Sequence, residues 1–387
     1  MQAVILVGGE GTRLRPLTYG TPKPMVPLFG VPFLERTLSR LHYAGIDDVI
    51  LAAGYLPKAI TEHFGDGSRL GGMRLTYVIE DEPLGTAGAI KNVAEHITGP
   101  FFVLNGDILT SLDLRAMTEY HKEKGGLGTL HLIKVDDPSP FGCVVHDSTG
   151  RVSAFVEKPP KNEAPTDEIN AGTYLLERAV LEAIPPSSHV SIERETFPQV
   201  LAAGARLYAY TTADYWLDVG RPDQYLQAHR DVLDGRLTLE PTADPQAHKG
   251  TFYLRPPQNG GVDGKSGHGE PASARAFPAG IRPPAFLGVE TELDPAALVG
   301  PYAVLGDRTC VEAGATIENS VLWDGVMVCG RAHINEAILA SNVHIGKDAI
   351  VGTGSVIGHD VAIEPGTQVP SDSRIVASEN AGQSARW

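Results

Sequence analysis

The chain has 387 residues, of which 42% are hydrophobic and 20% charged, and a formal net charge of -15. This is the composition of a soluble globular protein with room for two or three domains. The acidic balance excludes a general nucleic-acid or membrane-surface binder, and no apolar run approaches the ~20 residues of a membrane span.

The first predicted element is a buried strand, Ala3–Val7, ending in Gly8-Gly9. Glycines at that point allow positive φ and leave room for a ligand against bare backbone. Between Gly11 and Leu34 stand three cations, Arg13, Arg15 and Lys23, and no carboxylate. The spacing fits neither the dinucleotide fingerprint, because Gly9-x-Gly11 is followed by Leu14, nor the Walker loop, which requires a GK[ST] ending. What it does offer is an amide nest flanked by cations. In an acidic protein this points to a small polyphosphate ligand.

Next come a helix over Pro32–Ala44, with Leu34, Leu38 and Leu41 at helical spacing, and strands at Asp48–Ala53 and Leu75–Ile79. A helix over Thr86–Ile97 and strands at Phe101–Leu104 and Thr129–Val135 follow. Alternating strands and helices imply a mostly parallel sheet covered on both faces, with ligands beyond the carboxyl ends of its strands. Gly8-Gly9 and Asn105-Gly106-Asp107 both sit at such ends.

Asp107, at a strand end beside a glycine, is placed to hold Mg²⁺, which prefers a few carboxylates plus phosphate oxygens. Asp218, in YWLDVG, serves on its own equally well as a cap for a helix near Pro222. In FVEKP, Lys158 offers a point charge for a phosphate monoester and Glu157 an acceptor for sugar hydroxyls. Asn170, in INAGTYLL, both donates and accepts and suits a hydroxyl-rich ligand.

Composition shifts near Glu240. A Pro/Gly-rich linker or insertion is expected over 241–285, in which Thr251–Leu254 and Ala276–Pro278 are short stretches able to pack. Beyond it Val299, Leu305, Val311 and Ile317 recur every six residues. The register slips through Trp323–Asn342 and resumes at Ile345, Val351, Ile357, Ile363 and Val369. A six-residue period predicts a parallel β-helix over 286–376, four or five coils long, followed by a tail at 377–387. The three cysteines, Cys143, Cys310 and Cys329, have no metal or redox spacing and read as reduced thiols of a cytoplasmic protein.

In chain order, GGEGTRLRPLT, PKP, EPLGTAG, NGD, FG, EKP, NAG, SIERETFP and WLDVG cover nearly all of residues 1–235. This set resembles the sugar-1-phosphate nucleotidyltransferases, and EPLGTAG, LNGD, INAG and SIERE-FP look most like their mannose-1-phosphate guanylyltransferase branch. The resemblance implies a Rossmann-like, mixed or mostly parallel α/β catalytic domain over 1–240 and a left-handed β-helix of hexapeptide repeats. It implies transfer of a nucleotidyl group from an NTP, GTP in this branch, to mannose-1-phosphate or another hexose or cyclitol phosphate.

Arg13, Lys23, Asp107 and Asp218 would be catalytic, with Mg²⁺ on the two aspartates. Leu6, Gly8, Gly9, Gly11 and Thr12 would line the nucleotide, as would Glu82, Pro83, Gly85 and Thr86 near the base, and Asn105 and Gly106. Gly142, Glu157, Lys158, Asn170 and Gly172 would take the sugar phosphate. A cytoplasmic homo-oligomer associating through both domains is expected, with no nucleic-acid or membrane partner. The long 241–284 insertion departs from the family pattern. Two rival readings are a non-catalytic sugar-nucleotide-sensing subunit and a β-helix acyltransferase using His333, His344 or His359.

Overall fold

The computed structural model describes residues 1–54, 56–244, 250–254 and 278–377; most of the 241–285 linker and the tail after Ala377 lie outside the described residues. The chain forms two compact units that do not follow its linear order. One contains Met1–Glu10 and Thr37–Asp218. The other contains Gly11–Arg36, Val219–Thr242 and the described residues within 250–377.

The first unit is built on a nine-stranded sheet. Strands Gln2–Leu6, Asp48–Ala53, Arg74–Ile79 and Phe101–Asn105 run parallel, as βα alternation requires. Glu168–Leu176 then joins Phe101–Asn105 antiparallel, so the sheet is mixed. The strand Gln2–Leu6 is buried on both faces, which is why it reads as an unbroken apolar run. The helix expected over Thr86–Ile97 spans Gly85–Asn92 and gives way to a 3₁₀ turn at Ala94–His96. Leu114–Lys124 is capped by Asp113, whose carboxylate accepts from the Arg115 and Ala116 amides, and ends on Gly125 at φ +58°.

In the second unit short parallel strands stack into three sheets, two of them five strands deep, giving five coils. One stack carries Val299, Ile317, Ile334, Val351 and Val369 inward; another carries Leu305, Leu322, Leu339 and Ile357. The slip of the six-residue period has a simple origin. Ile317 to Leu322 and Ile334 to Leu339 are steps of five, so two coils are one residue shorter than the others. Leu322, Val328, Ile334 and Leu339 are all buried, so the inward column continues where the sequence pattern breaks. The stretch Thr251–Leu254 does pack. Thr251–Tyr253 pairs antiparallel with Ala285–Leu287, and Phe252 meets Phe286 and Phe29 at ring distances of 4.7 and 5.0 Å.

Candidate functional site

In the α/β unit, the strand Gln2–Leu6 pairs Leu6 with Ala52 on one side and with Asn105 on the other. Three chain segments therefore leave the sheet at one level. The Gly106 amide donates to Leu6 O at 3.0 Å, and a Cβ at position 106 would lie 2.7 Å from that oxygen. Only glycine allows the turn that delivers Asp107. Open space lies beside Gly9, but neither Gly8 nor Gly9 has positive φ; the left-handed residue of this loop is Gly11, at φ +64°.

Trp216–Asp218 pairs antiparallel with Ile108–Thr110, in a register that sets Asp218 opposite Ile108. Asp107 immediately precedes Ile108, so residues 111 positions apart in sequence become neighbours. Both are half-buried. Neither is a helix cap: Arg221 occupies the N-cap of Pro222–Leu233. The pair offers only oxygen donors, the chemistry a hard cation such as Mg²⁺ selects. Among the described residues no group of three or more His, Cys, Asp or Glu could hold a metal ion, so the remaining positions of any such site would fall to phosphate oxygens and water.

The residues expected on the sugar side also converge. The Gly172 amide donates to Asn170 Oδ1 at 3.0 Å. Gly172 has φ +71°, and a Cβ there would stand 2.7 Å from Asn105 Nδ2. Gly142 is paired with Glu157, and its missing side chain makes room for that carboxylate. Glu157 Oε1 lies 3.9 Å from Lys158 Nζ and 3.8 Å from an Arg194 guanidinium nitrogen. Burial and the nearby Glu193 charge push the Glu157 carboxyl up, against the opposing pull of Lys158 and Arg194. Lys158 itself is exposed, with its backbone at φ +49°.

Glu193 and Arg194 were not singled out from the sequence, although SIERETFP contains both. They lie on a π-helical turn, Ile192–Thr196. Glu193 accepts from Thr86 Oγ1 at 2.8 Å and from Tyr174 OH at 3.1 Å, and the tyrosine oxygen in turn accepts from Asn170 Nδ2 at 2.6 Å. One carboxylate thus links the EPLGTAG segment to the INAG segment. A π turn has no sequence period of its own; the only available signal was two acids and an arginine behind a capping serine. Glu82 and Pro83 are exposed. Gly85 and Gly88 also have a packing role: a Cβ would fall 2.7 Å from Val190 O and 2.5 Å from Ser188 O, respectively.

The rest of the glycine-cation stretch belongs to the second unit and is described there. Gly11 precedes a 3₁₀ turn, Thr12–Leu14, in which Thr12 and Arg13 are exposed. A Cβ on Gly11 would press on Lys23 Cβ at 3.0 Å and Thr18 Cγ2 at 3.1 Å. Gly11 is therefore fixed both by its φ and by the lysine stem packed against it. The Arg15 guanidinium lies over the Tyr19 ring at 5.2 Å. The three coil histidines do not converge. His333 bonds to Thr316, His344 lies 3.4 Å from Cys329 Sγ in a different sheet, and His359 faces Leu17 and Thr21.

Comparison with known proteins gives two family matches: "Nucleotidyl transferase" over residues 2–235 and "GMPPB C-terminal domain" over residues 281–380. The mannose-1-phosphate guanylyltransferase of Mycobacterium tuberculosis is 41% identical over 325 residues, 82% of this chain and 83% of that protein. Mannose-1-phosphate guanylyltransferase 1 of Arabidopsis thaliana is 34% identical over 368 residues, 94% of this chain and 92% of that one. Among solved structures, HddC from Yersinia pseudotuberculosis, complexed with GMP-PN, matches with a TM-score of 0.52 at 32% identity. It covers 60% of this chain and 99% of its own.

Proposed function

Because the chain belongs to the nucleotidyl transferase family, we propose that this nucleotidyltransferase joins GTP to mannose-1-phosphate, giving GDP-mannose and pyrophosphate. The observation that carries the reading is the register that brings Asp107 beside Asp218 at the carboxyl ends of the sheet, next to Gly106 and the Gly8-Gly9 exit. The names of the relatives from Mycobacterium tuberculosis and Arabidopsis thaliana support the choice of substrates, and the relative complexed with GMP-PN supports guanine. A purely regulatory role is not favoured.

In the reaction a phosphate oxygen of the sugar phosphate attacks the α-phosphorus of GTP in line, the new P–O bond forms, and the bond to the pyrophosphate oxygen breaks. The nucleophile is already ionised, so no general base is required, and catalysis consists of positioning and charge neutralisation. Arg13 and Lys23 meet the charge of the triphosphate. Lys158 holds the sugar phosphate against repulsion by the nucleotide, while Glu157 and Asn170 meet sugar hydroxyls. Asp107 and Asp218 would hold Mg²⁺, which supplies further neutralisation of leaving-group charge.

The protein acts in the cytoplasm as a homo-oligomer. Its described cysteines are all free thiols, no described helix is long and apolar enough to cross a membrane, and Met327 and Ile350 are exposed apolar residues on two coil faces. Sedimentation at a monomer mass overturns the oligomer. The test of substrate is a pyrophosphate-release screen of four NTPs against a panel of sugar-1-phosphates. GTP with mannose-1-phosphate should give the highest kcat/KM; a preference for dTTP, ATP or another acceptor overturns the assignment.

A further inference from the structure

One β-helix side chain stands directly against the segment that carries Lys23, and a second reaches it through Tyr225. His359 follows the strand Val356–Ile357, and its Nε2 lies 3.3 Å from Leu17 O and 3.2 Å from Thr21 Oγ1. A carbonyl oxygen only accepts, so the contact with Leu17 places the ring proton on Nε2. The coil comes this close because residue 358 is glycine; a Cβ there would lie 3.2 Å from Pro16 Cβ.

On the other side of Lys23, Pro27 O accepts from Tyr225 OH at 2.5 Å, and the tyrosine oxygen accepts from Trp323 Nε1–H at 3.1 Å. Tyr225 and Trp323 are buried, and the Trp323 ring meets His359 edge-on at 5.3 Å. The coils therefore hold the segment directly at Leu17–Thr21, through His359, and indirectly at Pro27, where Trp323 holds the hydroxyl of Tyr225 on the helix Pro222–Leu233. Lys23 lies between these grips, its stem packed against Gly11. A cavity of about 260 Å³ lined by Pro16, Tyr19, Thr21, His359 and Val376 borders the first grip, so the segment has space to move into once that bond is lost.

We propose that His359 and Trp323, acting with Tyr225, are positioning residues for nucleotidyl transfer: the β-helix fixes the segment that presents Lys23 to the triphosphate. The proposal rests on the assignment of Lys23 as a nucleotide contact. A backbone carbonyl that loses its donor leaves the segment free to sample more conformations, and the cost falls on GTP rather than on the sugar phosphate, whose candidate residues lie on other elements.

The experiment is steady-state pyrophosphate release by the full-length protein, varying GTP and mannose-1-phosphate separately. The variants are His359→Leu, His359→Gln, Trp323→Phe and Tyr225→Phe, with Lys23→Met as the reference, and a melting curve is recorded for each. Loss of one hydrogen bond sets the scale, so His359→Leu and Tyr225→Phe should each raise the KM for GTP about 3- to 10-fold. The KM for mannose-1-phosphate should stay within about twofold. His359→Gln, which keeps a donor, should recover much of the loss.

If Lys23→Met raises the KM for GTP while the three donor-removing variants lower only the melting temperature, positioning is overturned and the assignment of Lys23 stands. If Lys23→Met leaves the KM for GTP unchanged, the assignment of Lys23 falls and the proposal falls with it. Should His359→Leu not fold, the near-isosteric Tyr225→Phe decides.

Discussion

The α/β unit and the coils solve opposite problems of chain connectivity. In the coils each strand pairs with one 17 or 18 residues away, as Ile317 does with Ile334 and Ile334 with Val351. In the α/β unit the strand Gln2–Leu6 pairs with Asp48–Ala53 and Phe101–Asn105, and Ile108–Thr110 pairs with Trp216–Asp218. Short-range pairing leaves a repeat in the sequence and makes a uniform column. Long-range pairing leaves no repeat, but it brings chemically different segments to one sheet edge. A site that needs several side chains from different places is built more readily by the second kind of pairing. The column, by contrast, provides a rigid surface against which a loop can be held.

The sharpest way to break this contrast is to remove one charge from the long-range site without touching its packing. Asp107→Asn and Asp218→Asn should each lower kcat by roughly 10²–10⁴ with an unchanged melting curve, the residual activity requiring more Mg²⁺. Steady-state kinetics with a Mg²⁺ titration measures this. Near-wild-type turnover of Asp107→Asn at sub-millimolar Mg²⁺ would remove the two-carboxylate site.

A cavity on the inward side of the column should act foremost on stability. Leu322 is buried where the period slips, and Leu322→Ala should cost about 2–5 kcal/mol in chemical denaturation. A cost below 1 kcal/mol would mean that the shortened coils do not carry a continuous core.

Acid should weaken both units through one buried histidine in each. In the second unit, burial lowers His229 to about 4; Nδ1 lies 2.9 Å from Tyr225 O, and Nε2 accepts from the Phe29 amide at 3.4 Å, as a neutral ring does. In the α/β unit, burial lowers His131 to about 3. Both folded pKa values lie below the ordinary histidine value near 6.5. As pH falls below that value the unfolded chain takes up protons that the folded chain refuses, so stability declines until the folded pKa is reached. His229 should cost about 2 kcal/mol by pH 5. Urea denaturation at pH 7 and pH 5 checks this. His229→Gln should flatten the slope, and an unchanged slope in that variant would assign the acid sensitivity elsewhere.

The smallest effect should be the most selective. Lys158 is exposed, so Lys158→Ala leaves packing intact and should raise the KM for mannose-1-phosphate about tenfold, with the KM for GTP little changed. An equal rise in both constants would move Lys158 away from the sugar phosphate.

The order of the motifs, the glycine-cation loop, the βα alternation and the six-residue column were legible in the sequence because each is a local pattern: a run, a spacing or a period that nearby residues impose on one another. Tertiary structure decided the rest. Nothing near Asp218 shows that it will lie beside Asp107 rather than cap a helix, since that follows from a strand register set 108 residues upstream, at Thr110 and its neighbours. Glu193 and Arg194 reach the Glu157 carboxylate only through a π turn, which has no periodic signal. The sequence also drew its boundary near residue 240, whereas Gly11–Arg36 and Val219–Thr242 group by contact with the coils. That grouping depends on where Phe29, Tyr225, Trp323 and His359 find partners, and a buried side chain selects its partners by shape and hydrogen bonding in space, not by distance along the chain.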